Sequence, residues 1–203
     1  MYMMNINTFD YTIYDKLIFD IKTQLQKTTP YIIAIDGMCG SGKTTLAQYL
    51  SGIFDAGVIH MDNFFLPFER KTKERFAQAG GNIDYERFIE IPLPHLLRKE
   101  PFSYQAYNCQ TRSYDREIQI GNCELIIVEG SYSLHEKFGH YYDLSLFLSV
   151  NPEEQLRRLD ARCQNAAKFQ RFQNEWIPME QMYHEKQNVL QRADLIIDTT
   201  TFF

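Results

Sequence analysis

The feature that most constrains this chain is the run Gly37-Met-Cys-Gly-Ser-Gly42-Lys43-Thr44, which satisfies GxxxxGK[ST] in full. It follows the short β-branched run Tyr31-Ile-Ile-Ala-Ile35 and opens Thr44-Thr-Leu-Ala-Gln-Tyr-Leu50, which reads as a helix. Strand, glycine-rich loop and helix in this order form a phosphate cradle. Glycines let backbone N–H groups turn inward around phosphate oxygens, and the helix N-terminus adds its positive dipole end. Lys43 can then reach β- and γ-phosphates as a point charge, and the Thr44 hydroxyl can ligate Mg²⁺ on the same phosphates. The expected phosphate-binding set is Gly37, Gly40, Ser41, Gly42, Lys43, Thr44 and Thr45, with ATP and Mg²⁺ as the ligands.

Four further apolar runs, Gly57–Met61, Leu125–Val128, Leu144–Val150 and Leu195–Ile197, are continuous rather than alternating, as expected of parallel strands covered on both faces. Helical spacing of apolar residues over Asp10–Gln26, Pro152–Cys163 and Pro178–Gln191 supplies the covering elements, with Asn151 as cap and Pro152 at the first helical position. The expected fold class is α/β: a three-layer P-loop NTPase fold with a five-stranded, mainly parallel sheet. At 203 residues one domain is expected over 1–203. The interval 64–122, broken by Pro67, Gly80-Gly81, Pro92, Pro94 and Pro101, is expected to insert short helices, loops and a small hairpin as an acceptor-binding lid.

A net charge of −5 argues against a nucleic acid polymer as partner. The four cysteines, Cys39, Cys109, Cys123 and Cys163, lack zinc or disulfide spacing and suit a reducing, cytoplasmic setting. Neither a signal-peptide run over Met1–Tyr14 nor a membrane-length apolar stretch is present in the sequence, so no membrane partner is expected. A homo-oligomer is left open.

Two carboxylates fall at expected strand ends: Asp62 after Val58-Ile-His-Met61, and Glu129 after Leu125-Ile-Ile-Val128. In open α/β sheets the carboxyl ends of strands face the ligand crevice. Asp62 could take the proton of an attacking hydroxyl or help hold a metal, and Glu129 could hold Mg²⁺ directly or through water. His60 falls on the Asp62 side of its strand, where a structural or supporting role is expected.

The segments Asp36–Thr45, His60-Met-Asp-Asn-Phe-Phe65, Gly81-Asn-Ile-Asp-Tyr85 and Val128-Glu-Gly-Ser-Tyr132, in this order and spacing, resemble the uridine kinase-like family of P-loop kinases. That branch also includes phosphoribulokinases, pantothenate kinases of bacterial type and nicotinamide riboside kinases, and the resemblance spans roughly 31–199. It implies Asp62 as general base toward the acceptor hydroxyl, Glu129 as the Mg²⁺-assisting carboxylate and Asp84 as the holder of ribose hydroxyls. The chain departs from the family's uridine kinases at Phe65, where Tyr is usual, and in Tyr107-Asn-Cys-Gln-Thr-Arg112, where a His is usual. Phe65, Asp84, Tyr107 and Arg112 are therefore the candidate acceptor contacts beside Asp62.

Arg157, Arg158 and Arg162, followed by Lys168 and Arg171, fall where related kinases place a lid, here about 157–175. Arg158 and Arg162 are the candidates for stabilising the transferring phosphoryl group, against the alternative of a solvated helix face pairing Glu154 with Arg158. Arg70, Lys71, Lys73, Glu74 and Arg75 read as solvated surface. The expected activity is ATP-dependent phosphorylation of a primary hydroxyl in nucleoside salvage, with uridine or cytidine as acceptor. Pantothenate, nicotinamide riboside and sugar acids are the alternative acceptors, and an ATP-binding regulatory switch is the alternative outside the enzymes.

Overall fold

The computed structural model describes Thr12 to Cys163 and Asn165 to Phe202. Strands β1 (Tyr31–Gly37), β2 (Ala56–His60), β3 (Phe102–Asn108), β4 (Ser113–Ile120), β5 (Leu125–Glu129), β6 (Leu144–Ser149) and β7 (Leu195–Asp198) alternate with helices. The helices are α1 (Thr12–Leu25), α2 (Lys43–Ser51), α3 (Lys73–Phe76), α4 (Tyr85–Glu90), α5 (Pro92–Arg98), α6 (Pro152–Arg162), α7 (Ala166–Arg171), α8 (Ile177–Lys186) and α9 (Val189–Arg192). The expected first two residues of the opening helix, Asp10 and Tyr11, lie outside the described residues, as does the side chain of Ile13.

Five strands form one sheet in the order β2-β5-β1-β6-β7, and every pairing in it is parallel. Period-two alternation explains why the apolar runs are continuous. Along β1, Tyr31, Ile33 and Ile35 enter a core with Leu17 and Ile21 of α1 and Leu46 and Leu50 of α2. Ile32 and Ala34 enter the opposite core with Phe64, Phe88, Leu96, Tyr104 and Tyr183. Each fully buried side chain of this size contributes about 1.5–3 kcal/mol, so both faces are needed. The result is three layers: α1 and α2, the sheet, and a layer from the insertion and α8. The edge strand β7 departs from the expectation of two covered faces, with Leu195 and Ile196 42% and 55% exposed, because it has a neighbour on one side alone.

Within 64–122, β3 and β4 form a separate antiparallel hairpin, and short helices precede it. The Asp84 carboxylate accepts the Arg87 N–H and caps α4. Asn151 caps α6 by accepting the Glu154 N–H at 2.8 Å, with Pro152 in the first turn. The helix expected over Pro178–Gln191 is divided. One π turn over Phe172–Trp176 runs into α8, and Asn188, at φ 48°, separates α8 from α9. Asn tolerates the left-handed region, so it can end a helix inside an apolar repeat that gives no sign of a break.

His135 illustrates what this packing does to a titratable group. It is 1% exposed, its ring lies against Tyr183, and its Nδ1 accepts the Lys137 N–H at 3.2 Å. A Cβ on Gly80, at φ +74°, would meet the ring at 2.4 Å, so glycine is required there. Burial pushes the imidazole down to about 4, so the unfolded chain takes up a proton that the folded one refuses. This contribution is fully present above the ordinary His value near 6.5 and is lost as pH falls through 6.5 towards 4, about 3 kcal/mol in all. Urea unfolding at pH 7.5 and 4.5 should therefore show native protein losing about 2–3 kcal/mol more than His135→Gln. Equal losses in the two proteins would remove His135 as a source of acid sensitivity.

Candidate active site

The carboxyl ends of β1, β2 and β5 open into one cavity of about 820 Å³, within the range of small-molecule sites. Its floor is the glycine-rich loop between β1 and α2. Gly37 sits where β1 comes closest to β6: at φ +140°, a Cβ would stand 2.2 Å from the Leu148 carbonyl oxygen. The loop's carbonyl groups are engaged from outside. Gln155 of α6 donates to Cys39 O at 2.9 Å, Arg158 to Gly40 O at 3.2 Å, and Thr199 Oγ1 to Ser41 O at 3.0 Å. Lys43 Nζ donates to Gly37 O and Met38 O at 2.7 and 2.9 Å.

Asp36, the residue before the loop, is fully buried. It accepts N–H groups from Gly37 at 2.7 Å, Leu134 at 2.9 Å and Tyr132 at 3.3 Å, and the Tyr183 hydroxyl at 2.7 Å. Burial alone would raise its pKa. Nearby His184, the Leu134 N–H and the Tyr183 hydroxyl outweigh it and hold the carboxyl below its usual range. His184 Nε2 stands 3.9 Å from Asp36 Oδ1, beyond hydrogen-bond distance.

Glu129, the last residue of β5, is 4% exposed. Its carboxylate accepts the Thr44 hydroxyl at 3.2 Å and pairs with His60 Nδ1 at 2.5 Å. That hydrogen bond raises the His60 pKa despite partial burial. His60 is thus the support of Glu129. Asp62 stands one residue later than expected relative to its strand: β2 ends at His60, and Met61–Phe64 form a 3-10 turn. Asp62 is exposed to the solvent that fills the cavity, with the cavity walls crowded around its carboxyl. That crowding and then the Glu129 charge raise its pKa, while Lys43, His60 and Arg162 oppose the rise.

The oxygen donors Thr44 and Glu129, with Asp62 on the same wall, suit a hard cation such as Mg²⁺ held by few protein ligands and by phosphate. Among the described residues no group of three or more His, Cys, Asp or Glu forms a cage for a metal.

Gly40, Gly42, Lys43, Thr44, Thr45, Asp62, Phe65, Glu129, Arg158 and Arg162 all line this cavity. Gly37 and Ser41 lie behind the loop surface. Arg158 is 10% exposed at its side chain and pairs with Glu154 at 2.7 Å. It also donates to Thr199 O at 2.6 Å, so it ties the loop to the end of β7. The Arg162 guanidinium lies 5.2 Å over the Phe172 ring at the cavity wall.

Three candidate acceptor contacts lie outside the lining. Asp84 is bound by Arg70 Nη1 at 2.8 Å, the Tyr107 hydroxyl accepts the Phe68 N–H at 3.3 Å, and Arg112 lies 4.2 Å over the Phe68 ring. The charged cluster read as solvated surface is corrected at one position. Arg70 stays exposed while its guanidinium reaches Asp84, but Arg75, 12% exposed at its side chain, donates to Gly81 O, Ile83 O and Glu86. A guanidinium fork can satisfy several acceptors at once, which lets it enter a loop that lysine would leave.

Sequence reasoning missed the residues that close the cavity: Asn82, Ser131, Tyr132, Trp176 and Glu180. Tyr132 is 3% exposed at φ +79°, a conformation few non-glycine residues adopt. Glu180 accepts the Cys39 N–H at 2.8 Å and the Ser131 hydroxyl at 2.6 Å. A signal for it did exist: Glu180 stands three residues after Ile177 and three before Tyr183, on the apolar stripe of its helix.

A parallel sheet with this strand order, a complete phosphate loop at the end of its central strand and carboxylates on the neighbouring strands define a P-loop kinase fold. No protein-family model matches the chain. Over 123 residues it is 29% identical to the uridine kinase of Saccharomyces cerevisiae, covering 54% of this chain and 24% of that protein. It is 26% identical over 143 residues to the uridine kinase of Lactobacillus helveticus, covering 64% and 67%. To the pantothenate kinase of Limosilactobacillus reuteri it is 26% identical over 154 residues, covering 64% and 49%.

A solved structure described as a possible uridine kinase from Bacillus stearothermophilus superposes with a TM-score of 0.68 at 23% identity, over 92% of this chain and 99% of the other. The D-glycerate 3-kinase of Cryptococcus neoformans superposes at 0.62 with 10% identity, over 93% and 96%. In sequence the chain is similar to uridine kinases, and in fold to P-loop kinases. It spans about a quarter of the length of the first two curated relatives it matches, 24% and 26%. Among the described residues no helix is long and apolar enough to cross a membrane.

Proposed function

We propose that this protein transfers the γ-phosphoryl group of ATP to a primary hydroxyl of a small metabolite, with uridine or cytidine as the first acceptors to test. The observation that carries this reading is the meeting in one cavity of a complete phosphate loop, the Thr44–Glu129 oxygen pair and Asp62. Loop N–H groups and Lys43 would hold the β- and γ-phosphates, and Thr44 and Glu129, with Asp62 beside them, would hold Mg²⁺, which supplies charge neutralisation there. Asp62 takes the proton as the acceptor oxygen bonds to the γ-phosphorus. The bond from that phosphorus to the β–γ bridging oxygen breaks, and ADP leaves with the electron pair. Of the two lid arginines, Arg162 suits the transferring group better, since Arg158 already serves the Gly40 and Thr199 carbonyls. The segments 64–122 and 157–175 would act as acceptor-binding insertion and lid.

One observation favours a second acceptor class. Asp84, the ribose-holding residue by resemblance, is committed to Arg70 and to capping α4, and Phe65 offers no hydroxyl. A site chooses a polar substrate by matching buried donors and acceptors, so pantothenate, nicotinamide riboside or a sugar acid form the alternative. ADP release with Mg·ATP, measured against uridine, cytidine, nicotinamide riboside, pantothenate and glycerate and followed by mass spectrometry of the product, separates these readings. Phosphorylated uridine or cytidine supports pyrimidine salvage, and turnover on another acceptor keeps the chemistry and replaces the substrate. ATP binding with no acceptor-dependent ADP would favour a nucleotide-operated switch.

A further inference from the structure

We infer that Glu180 is a positioning residue for the phosphate loop: its carboxylate fastens the Cys39 backbone and the Ser131 turn to α8, and so sets how the loop receives a nucleotide's phosphates. This rests on the reading of the loop as a nucleotide cradle. A carboxylate 8% exposed in the wall of a polyphosphate cavity is electrostatically adverse, since it lost its hydration on burial and repels the phosphates. What offsets that cost is specific bonding. One oxygen accepts the Cys39 N–H at 2.8 Å and the other the Ser131 hydroxyl at 2.6 Å.

The two partners come from different walls. Cys39 is the third residue of the glycine-rich loop, and Ser131 lies two residues beyond Glu129. Their junction is thus set by one side chain. The same residue is held through its next peptide, because Gln155 of α6 donates to Cys39 O at 2.9 Å. One turn along α8, the Tyr183 hydroxyl reaches Asp36 just before the loop at 2.7 Å. Helices α6 and α8 are the two roots of the segment carrying Lys168, Phe172 and Trp176 over the cavity, so the loop is anchored to both. The same hydroxyl lies 3.3 Å from Gly37 O, which sets the junction against the loop's first residue.

The charge on Glu180 is dispensable in this role, and its reach is not. Glutamine keeps the length, can accept the Cys39 N–H through its oxygen and can donate to Ser131 through its amide. Aspartate keeps the charge but is one methylene short. Binding of ADP and of a non-hydrolysable ATP analogue with Mg²⁺ can be followed by the fluorescence of Trp176, the single tryptophan of the chain, which lines the cavity. Losing a charged hydrogen bond to the loop should weaken binding by about tenfold in Glu180→Asp and Glu180→Ala, whereas Glu180→Gln stays within about threefold of native.

In turnover, KM for ATP should rise in the Asp and Ala variants while KM for the acceptor is unmoved. Should both melt below the assay temperature, Ser131→Ala removes one arm alone and should weaken nucleotide binding by about two- to threefold. Two results overturn the inference and leave the kinase reading intact: nucleotide binding equal in all variants, or a raised acceptor KM in Glu180→Asp and Glu180→Ala with their nucleotide binding unchanged. If native protein binds no nucleotide at all, both readings fall.

Discussion

Asp62→Asn should lower acceptor-dependent turnover by about 10²–10⁴-fold and leave Mg·ATP binding within about twofold of native. Asparagine keeps the size of the side chain but cannot take a proton, and losing a charge beside Glu129 relieves repulsion rather than adding it. The native pH profile should carry the same signature. The crowding cavity walls and the Glu129 charge raise the Asp62 pKa above the ordinary carboxylate value, so the free enzyme loses the base on acidification earlier than a free aspartate would be lost. The acid limb of kcat/KM should lie above the usual carboxylate range, and the residual activity of Asp62→Asn should lack that limb. Full turnover in the variant would dismiss the general-base role. A modest loss with a sharply raised Mg²⁺ requirement would give Asp62 to the metal instead.

The largest effect on stability is expected from Asp36→Ala. Four donors converge on this carboxylate, three backbone N–H groups and the Tyr183 hydroxyl, and truncation leaves them buried without an acceptor. Each orphaned donor costs about 1–3 kcal/mol, and relaxation and water entry bring the total to about 3–5 kcal/mol. That is a large share of the 5–15 kcal/mol typical of a domain. Urea titration should show a lower midpoint with an unchanged m-value. A loss under about 1 kcal/mol would mean that the network relaxes freely around the gap.

The sheet was legible because burial on two faces leaves a signature in the chain itself: Tyr31–Ile35 and Leu125–Val128 are apolar at every position, and alternate residues feed opposite cores. The phosphate loop was legible because its chemistry is local, with glycines, lysine and threonine within eight residues. Caps such as Asn151 are local too. What escaped was decided by partners that leave no mark in the local pattern. Arg75 reads as a surface charge because two of its acceptors, the Gly81 and Ile83 carbonyls, are backbone groups with no side-chain signature. Glu180 meets Cys39 and Ser131 across separations of 141 and 49 residues. The division between α8 and α9 depends on one asparagine adopting a conformation that its sequence permits but does not demand.

The strand order has a consequence for how the chain comes to be folded. β1 pairs with β5 and β6, and β2 with β5 alone, so no two strands of the central sheet can join until Leu125 and its successors exist. During synthesis the β-branched segments Tyr31–Ile35 and Ala56–His60 must wait unpaired behind the whole insertion, whose own hairpin can close at once. Such long-range parallel closure is slow and leaves apolar segments open to misassociation. A ribosome-stalled series should gain protease resistance in the sheet abruptly, once β5 and β6 have cleared the exit tunnel, rather than strand by strand.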